Sequence, residues 1–279
     1  MESDTNQLNR SSGAIGEVRP EELLRGGPLA RFNAAEFPWW VVIIVIIGLY
    51  IVIGVVSSPQ YRDVFRFIIP GLRVTLQATF TAYGLALIIG LIAGLMRVSR
   101  NPVLYAISTL YVEIIRGVPM LVILLYAGFV ISPRIRDATG GTVTLSDIQE
   151  AILGLAIGYG AYLAEVYRAG IESIHRGQME AARSLGMTYM QAMRYVVLPQ
   201  AIRVILPPLG NDFIAMLKDS SLVAVLAIPD LLQMGRLYIS RTFRAFEGYN
   251  SVALLYLAMT LMLSLLVRWI ERRWRIDAR

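Results

Sequence analysis

Apolar residues in this chain come in long blocks rather than in alternating or short runs. Pro38-Trp39-Trp40 opens one that continues to Val56. Others cover about Leu72–Met96, Val103–Ile131, Ala151–Gly170, Ala201–Leu217 and Val252–Trp269. A helix needs about 20 apolar residues to cross the ~30 Å hydrocarbon core of a bilayer. The pattern therefore predicts an all-α, polytopic membrane helix bundle with six spans. Between the blocks, Tyr61–Ile69 predicts a short interfacial amphipathic helix, and residues 132–150 predict a polar loop. Leu222–Gly235 is apolar but short for a crossing, and is expected to be a partly inserted or packed helix. Residues 1–37 are polar, with Gly, Pro and four arginines, and predict a mostly unstructured tail. The first apolar run is long for a signal peptide, and Val55-Val56-Ser57-Ser58 is a poor cleavage site. It is expected to be retained, as a transmembrane helix over 38–58. The main bundle then occupies 59–272, and 273–279 form the C-terminus.

Composition supports a membrane protein: 56% of the 279 residues are hydrophobic and 16% are charged. The formal net charge of +6 comes almost wholly from arginine, with Lys218 the only lysine. Those arginines sit at the ends of apolar runs, which argues for membrane topology and against nucleic acid as a partner. With six spans, the side that holds both termini and the 171–199 loop carries 16 Lys/Arg, against 9 on the other. The positive-inside bias therefore places both termini in the cytoplasm. No cysteine is present and His175 is the only histidine, so little remains for thiolate, metal or histidine-cluster chemistry. No G-x-x-x-x-G-K-[ST] occurs, so no ATP site is expected in this chain.

The polar stretch Gln178–Pro199 lies between apolar blocks and has helical spacing of its own. Met179, Ala182, Gly186, Tyr189, Met193 and Val196 recur every three to four residues, while Arg183, Gln191 and Arg194 lie off that stripe. The stretch predicts a short amphipathic helix, or a helix pair bending at Gly186, that offers an apolar face to something outside the bundle.

A second set of polar residues falls inside the blocks. Glu113 and Arg116 are three apart in one of them, followed at once by Gly117 and Pro119. Glu165 lies in line with Gly154, Gly158 and Ala161, and Asn211 and Asp212 fall beyond Pro207-Pro208. A charge at mid-membrane costs about 2.5–3.5 kcal/mol on insertion scales, so each needs a partner or a cavity. Helices broken near mid-membrane are where transporters place substrate sites. Several bland readings stay open beside that one. Glu113 and Arg116 neutralise each other, Glu165 pairs with an arginine of a neighbouring helix, Asp212 faces a polar crevice, or Asn211 bonds backbone freed by the prolines. Tyr159, Tyr162 and Tyr167 are expected to pack rather than form a cage.

Glu180-Ala181-Ala182, Gly186, Val196, Leu198 and Pro199 match the pattern E-A-A-x3-G-x9-[IV]-x-L-P. This resembles the EAA loop of bacterial ABC importer permeases. Arg116-Gly117-Val118-Pro119, Leu206-Pro207-Pro208-Leu209-Gly210-Asn211 and Lys218-Asp219-Ser220-Ser221-Leu222 resemble the polar amino-acid branch of that family. The likeness covers roughly residues 68–270. It implies a five-span permease core over 59–272 with one additional N-terminal transmembrane helix, and a coupling loop at 178–199. It implies a bacterial cytoplasmic (inner) membrane protein, surrounded by lipid, that catalyses no reaction itself. Two ATPase subunits would bind ATP and magnesium. A second permease, identical or homologous, would complete the pathway, and a periplasmic or lipid-anchored binding protein would deliver an amino acid. Arg116 suits the substrate carboxylate, and Glu113 or Glu165 suits its ammonium. Two alternatives stand beside this: a permease for another small polar solute such as an opine or amine, and, more distantly, an intramembrane enzyme.

Overall fold

The computed structural model describes residues 39–274, so the tail over 1–37 and the last five residues lie outside the described part. The chain divides into two units, Met1–Val55 and Val56–Arg279. Helix α1, Trp39–Ser57, is a 19-residue apolar helix. The rest is helical: α2 Pro59–Val98, α3 Pro102–Gly117, α4 Met120–Tyr126, α5 Ser132–Ala138, α6 Asp147–Glu172, α7 Arg176–Ser184, α8 Tyr189–Ala192, α9 Leu198–Asp219, α10 Leu231–Thr242 and α11 Ala245–Trp274. Single π turns join α4 to α5 (Ala127–Ile131) and α8 to α9 (Met193–Val197), and a 3-10 segment, Ser220–Leu226, follows α9.

Among the described residues, Pro59–Val98 and Ala245–Glu271 are long and apolar enough to cross a membrane outright. The bent pairs Pro102–Gly117 with Met120–Ala138 and Tyr189–Leu226 with Leu231–Thr242 reach that standard when each pair is taken as one span. Several expected boundaries move. The interfacial helix Tyr61–Ile69 and the span Leu72–Met96 are one 40-residue helix that runs straight through Pro70. At 1.5 Å per residue it is about 60 Å long, twice the hydrocarbon core. The block Val103–Ile131 bends by 107° after Gly117, because Pro119 withholds a backbone donor and disfavours helical geometry in Val118. Part of the expected 132–150 loop is helical, as α5. The expected packed helix Leu222–Gly235 is split between the 3-10 segment and α10, around a left-handed Ala227 with φ 58°.

The bundle is built around α6. Ala151, Leu155, Ala156, Ala161, Leu163 and Ala164 are fully buried. Small residues let neighbours approach on opposite sides of it. A Cβ on Gly90 of α2 would lie 2.6 Å from Leu163 Cβ, and one on Gly94 would lie 2.8 Å from Tyr167 Cβ. From the other side, a Cβ on Gly158 would lie 2.6 Å from Met120 Cε. Hydroxyls tie the helices by donating to carbonyls: Ser108 to Ala93 at 2.6 Å, Tyr111 to Ile157 at 2.7 Å and Tyr83 to Leu209 at 2.6 Å.

A second core joins the first half of α2 to α10 and α11 through Val64, Ile68, Leu231, Tyr238 and Val252. Asp230, fully buried, sits at its edge and caps α10 by accepting from Leu232 N at 3.2 Å and Gln233 N at 2.8 Å. Tyr256 donates to the same carboxylate at 3.2 Å, and Leu231 N donates to Thr75 Oγ1 at 3.0 Å. A cap removed leaves buried donors without acceptors, at about 1–3 kcal/mol each. Asp230→Ala is expected to lower the thermal unfolding midpoint of the detergent-purified protein clearly. Asp230→Asn, which keeps a capping oxygen, should recover much of the loss. An alanine variant as stable as the parent would refute the role of this cap.

Candidate functional site

The polar stretch between α6 and α9 folds as two short helices around a left-handed turn. His175 opens it, its Nδ1 accepting from Gly177 N at 3.1 Å. Helix α7 closes with Gly186 N and Met187 N donating to Arg183 O and Ala182 O, and Gly186 has φ +87°. A side chain other than glycine costs energy in that conformation. Thr188 and Gln191 then cap α8 reciprocally, Gln191 N donating to Thr188 Oγ1 at 3.3 Å and Thr188 N to Gln191 Oε1 at 2.9 Å. The T-x-x-Q spelling carries that signal.

The apolar face of this loop is distributed differently from the simple stripe. Ala182, Ala192 and Val197 are buried inward, and Met179, Met193 and Val196 are half-buried. Leu185, Met190 and Tyr195 point outward, 82%, 73% and 64% exposed. The turn at Gly186 and the π turn over Met193–Val197 each shift the helical phase, so one 3.6-residue period does not hold across the stretch. Of the motif residues, Glu180, Ala181, Gly186, Leu198 and Pro199 are exposed. Arg100, from the turn after α2, lies 5.7 Å over the Tyr189 ring.

The second cluster surrounds the α3–α4 break. Arg116, on the last turn of α3, is exposed and lies 5.5 Å over the ring of Tyr162 on α6. Glu113, one turn earlier, has a side chain 70% exposed, with Oε1 3.9 Å from Arg97 Nη2. Arg97, at the end of α2, is only 10% exposed and donates from Nη1 to Glu165 Oε2 at 2.7 Å. Arg168 also binds both oxygens of Glu165, and pairs with Glu172 as well. Glu165 is thus held by two guanidinium groups. The reading in which it pairs with an arginine of a neighbouring helix describes this geometry. Glu113 meets Arg97 rather than Arg116, so the alternative reading in which Glu113 and Arg116 neutralise each other has no ion pair among the described residues.

Arg97 is the residue of this cluster that periodicity missed, because its position after the block Leu72–Met96 reads as a turn. Only the fold shows that Gly94 brings it against α6. Tyr159, one turn before Tyr162, donates to Asp219 Oδ2 at 2.8 Å. Asp212 is half-buried on α9 and Asn211 is exposed beside it; neither forms a hydrogen bond or ion pair with Arg116, Glu113 or Glu165 among the described residues. No group of three or more His, Cys, Asp or Glu is placed to hold a metal among them.

A loop with exposed apolar residues at one end of a membrane helix bundle, and a broken helix carrying an exposed arginine, fit a membrane transport subunit. The family comparison agrees. Residues 86–276 match the family described as binding-protein-dependent transport system inner membrane component, and the chain belongs to that family. It is a transport component rather than an enzyme, and works with an ATPase and a binding protein. The chain is similar to the probable glutamine ABC transporter permease GlnM of Bacillus subtilis, 38% identical over 76% of this chain and 94% of that one. It is also similar to the glutamine transport system permease GlnP of Escherichia coli K12, at 35% over 75% and 93%. Among solved structures it resembles a chain of an amino acid ABC transporter crystallised with histidines, with TM-score 0.68 and 41% identity over 78% of this chain and 97% of that chain.

The Arg97–Glu165 contact joins α2 to α6 beside the break. A double-mutant cycle of Arg97→Met and Glu165→Gln, read by thermal unfolding, is expected to return a favourable coupling of roughly 0.5–3 kcal/mol. A coupling of zero would show that the pair is not made.

Proposed function

We propose that this chain is the permease of an ATP-driven importer for a polar amino acid, moving the solute along a path that passes the α3–α4 break. The relatives named for glutamine and other amino acids support the substrate class. The observation that carries the site is the 107° break beside an exposed Arg116 that has no ion pair among the described residues and an exposed Glu113 on the same turn. Guanidinium binds a carboxylate with two parallel hydrogen bonds, so Arg116 takes the substrate α-carboxylate. Of the two acids, Glu113 suits the α-ammonium better, because both oxygens of Glu165 are already engaged by Arg97 and Arg168. Asn211 and Asp212 belong to the α9 side of the same path.

The pathway is completed by a second permease, identical or homologous, in a bacterial inner membrane with both termini cytoplasmic. Two ATPases, which bind the ATP and magnesium, each seat one copy of the α7–α8 loop. Leu185, Met190 and Tyr195 supply the apolar contact, and Glu180 and Ala181 flank it. Ala182 and Val196 fix the pair of helices to the bundle as a lever, and Leu198 and Pro199 open α9 behind them. Helix α1 is the additional N-terminal span.

Two measurements test this reading. Arg116→Met in proteoliposomes holding the complete importer should leave ATP turnover but lower apparent substrate affinity roughly ten- to a hundredfold. Combining it with Glu113→Gln should not restore uptake. Recovery in the double variant would show that the two charges only balance one another. Gly186→Arg places a long cation on the exposed turn, where an added Cβ meets nothing within 4 Å. That variant should insert in the membrane yet lose stimulation of the ATPase by loaded binding protein. Unaltered transport would remove the lever role.

A further inference from the structure

We propose that a groove between α2, α9 and α11 is a binding site for an aminophospholipid, a site separate from both the pathway and the coupling loop. The groove encloses about 590 Å³. Its walls are apolar, from Leu87, Leu206, Phe213, Leu263, Leu266 and Val267. Arg203 and Glu271 also line it. Arg203 lies five residues into α9 and Glu271 near the end of α11, so the charged mouth is at the end of the bundle that carries α7. Neither charge has an ion-pair partner among the described residues.

The prolines add polar atoms to the wall. Pro207 and Pro208 lie inside α9 and have no N–H to give the carbonyls of Arg203 and Val204, four residues back. Both of those residues line the groove. The site thus holds one cation and one anion above an apolar slot, and two of its lining residues have carbonyls without a helical donor. A zwitterionic headgroup bearing a phosphate and a primary ammonium satisfies that set. The guanidinium forks onto phosphate oxygens, and the ammonium donates to Glu271 and to a freed carbonyl. One acyl chain then lies in the slot between Phe213, Leu263 and Val267.

The slot suits a chain of methylenes better than a protein segment. Helices α9 and α11 nearly touch along it, since a Cβ on Gly210 would lie 2.4 Å from Val267 Cγ1. An apolar helix of a second copy laid across the groove would leave the charges of Arg203 and Glu271 to be paired.

The test uses the complete importer, incubated with vesicles of phosphatidylethanolamine and phosphatidylglycerol, or of phosphatidylcholine and phosphatidylglycerol, then examined by native mass spectrometry. The ethanolamine lipid should stay bound at one per permease. The choline lipid, whose ammonium has no N–H, should be retained several-fold less. Arg203→Gln with Glu271→Gln should lower ethanolamine-lipid retention roughly tenfold, and Val267→Trp should block the slot. Equal retention of both lipids, or retention unchanged in the variants, overturns the proposal. Should a variant fail to assemble, a photoreactive phosphatidylethanolamine added to the unaltered importer decides. Label on the peptides around 203–213 and 263–271 supports the site, and label elsewhere overturns it. Because the chain has no cysteine, Leu266→Cys gives a clean further reading. A disulfide between two copies at that position means that a second permease covers the groove, and the lipid site is then wrong. A failure here leaves the amino-acid pathway untouched, since no residue is shared with it.

Discussion

Close approach of helices along α6 is the constraint on which the rest of this structure depends. Within a bilayer, lipid tails are as apolar as leucine, so helices associate by van der Waals contact rather than by leaving water. That contact is gained only where backbones come near each other. Gly90 and Gly94 let α2 reach α6 on one side, and Gly154 and Gly158 admit Leu124 and Met120 of α4 on the other. A larger residue at Gly90 or Gly94 would push α2 away from α6, because the atoms it meets are backbone and Cβ atoms.

That packing positions the charges. Arg97 is drawn against α6 because α2 is held tightly at Gly94, and its burial is tolerated because Glu165 accepts from it. Arg168 and Glu172 continue the run of opposite charges along α6 toward the coupling helices. Glu165 is therefore engaged between α2 and α6, while Glu113 and Arg116 stay exposed next to the broken backbone. The same helix that forms the centre of the bundle thus carries the ion pairs between the break and the α7–α8 loop.

Both π turns lie at joints. One follows α4 after the break, and the other links the coupling loop to α9. A π turn adds a residue without ending the helix, so it rotates everything beyond it about the axis. In the α7–α8 loop, the left-handed turn at Gly186 and this π turn together leave Leu185, Met190 and Tyr195 outward while Ala182, Ala192 and Val197 are buried at its base. These outward residues are the most exposed apolar ones of the loop, and a strict helical period through Met179–Val196 selects others.

The residue pattern by itself determined the helical membrane class, the polar loop with its bend at Gly186, and the short list of charges worth following. These follow from block length, from the rarity of charge in apolar runs and from glycine at a left-handed turn, all of which are local. Tertiary structure decided where helices continue or stop and which charges meet. Pro70 is carried inside a long helix whose first half packs against α10 and α11, whereas Pro119, after an extended Val118, breaks one. Arg97 and Glu165 are 68 residues apart in sequence. A contact of that separation depends on how two glycine-bearing helices cross, which no periodicity along a single chain can express.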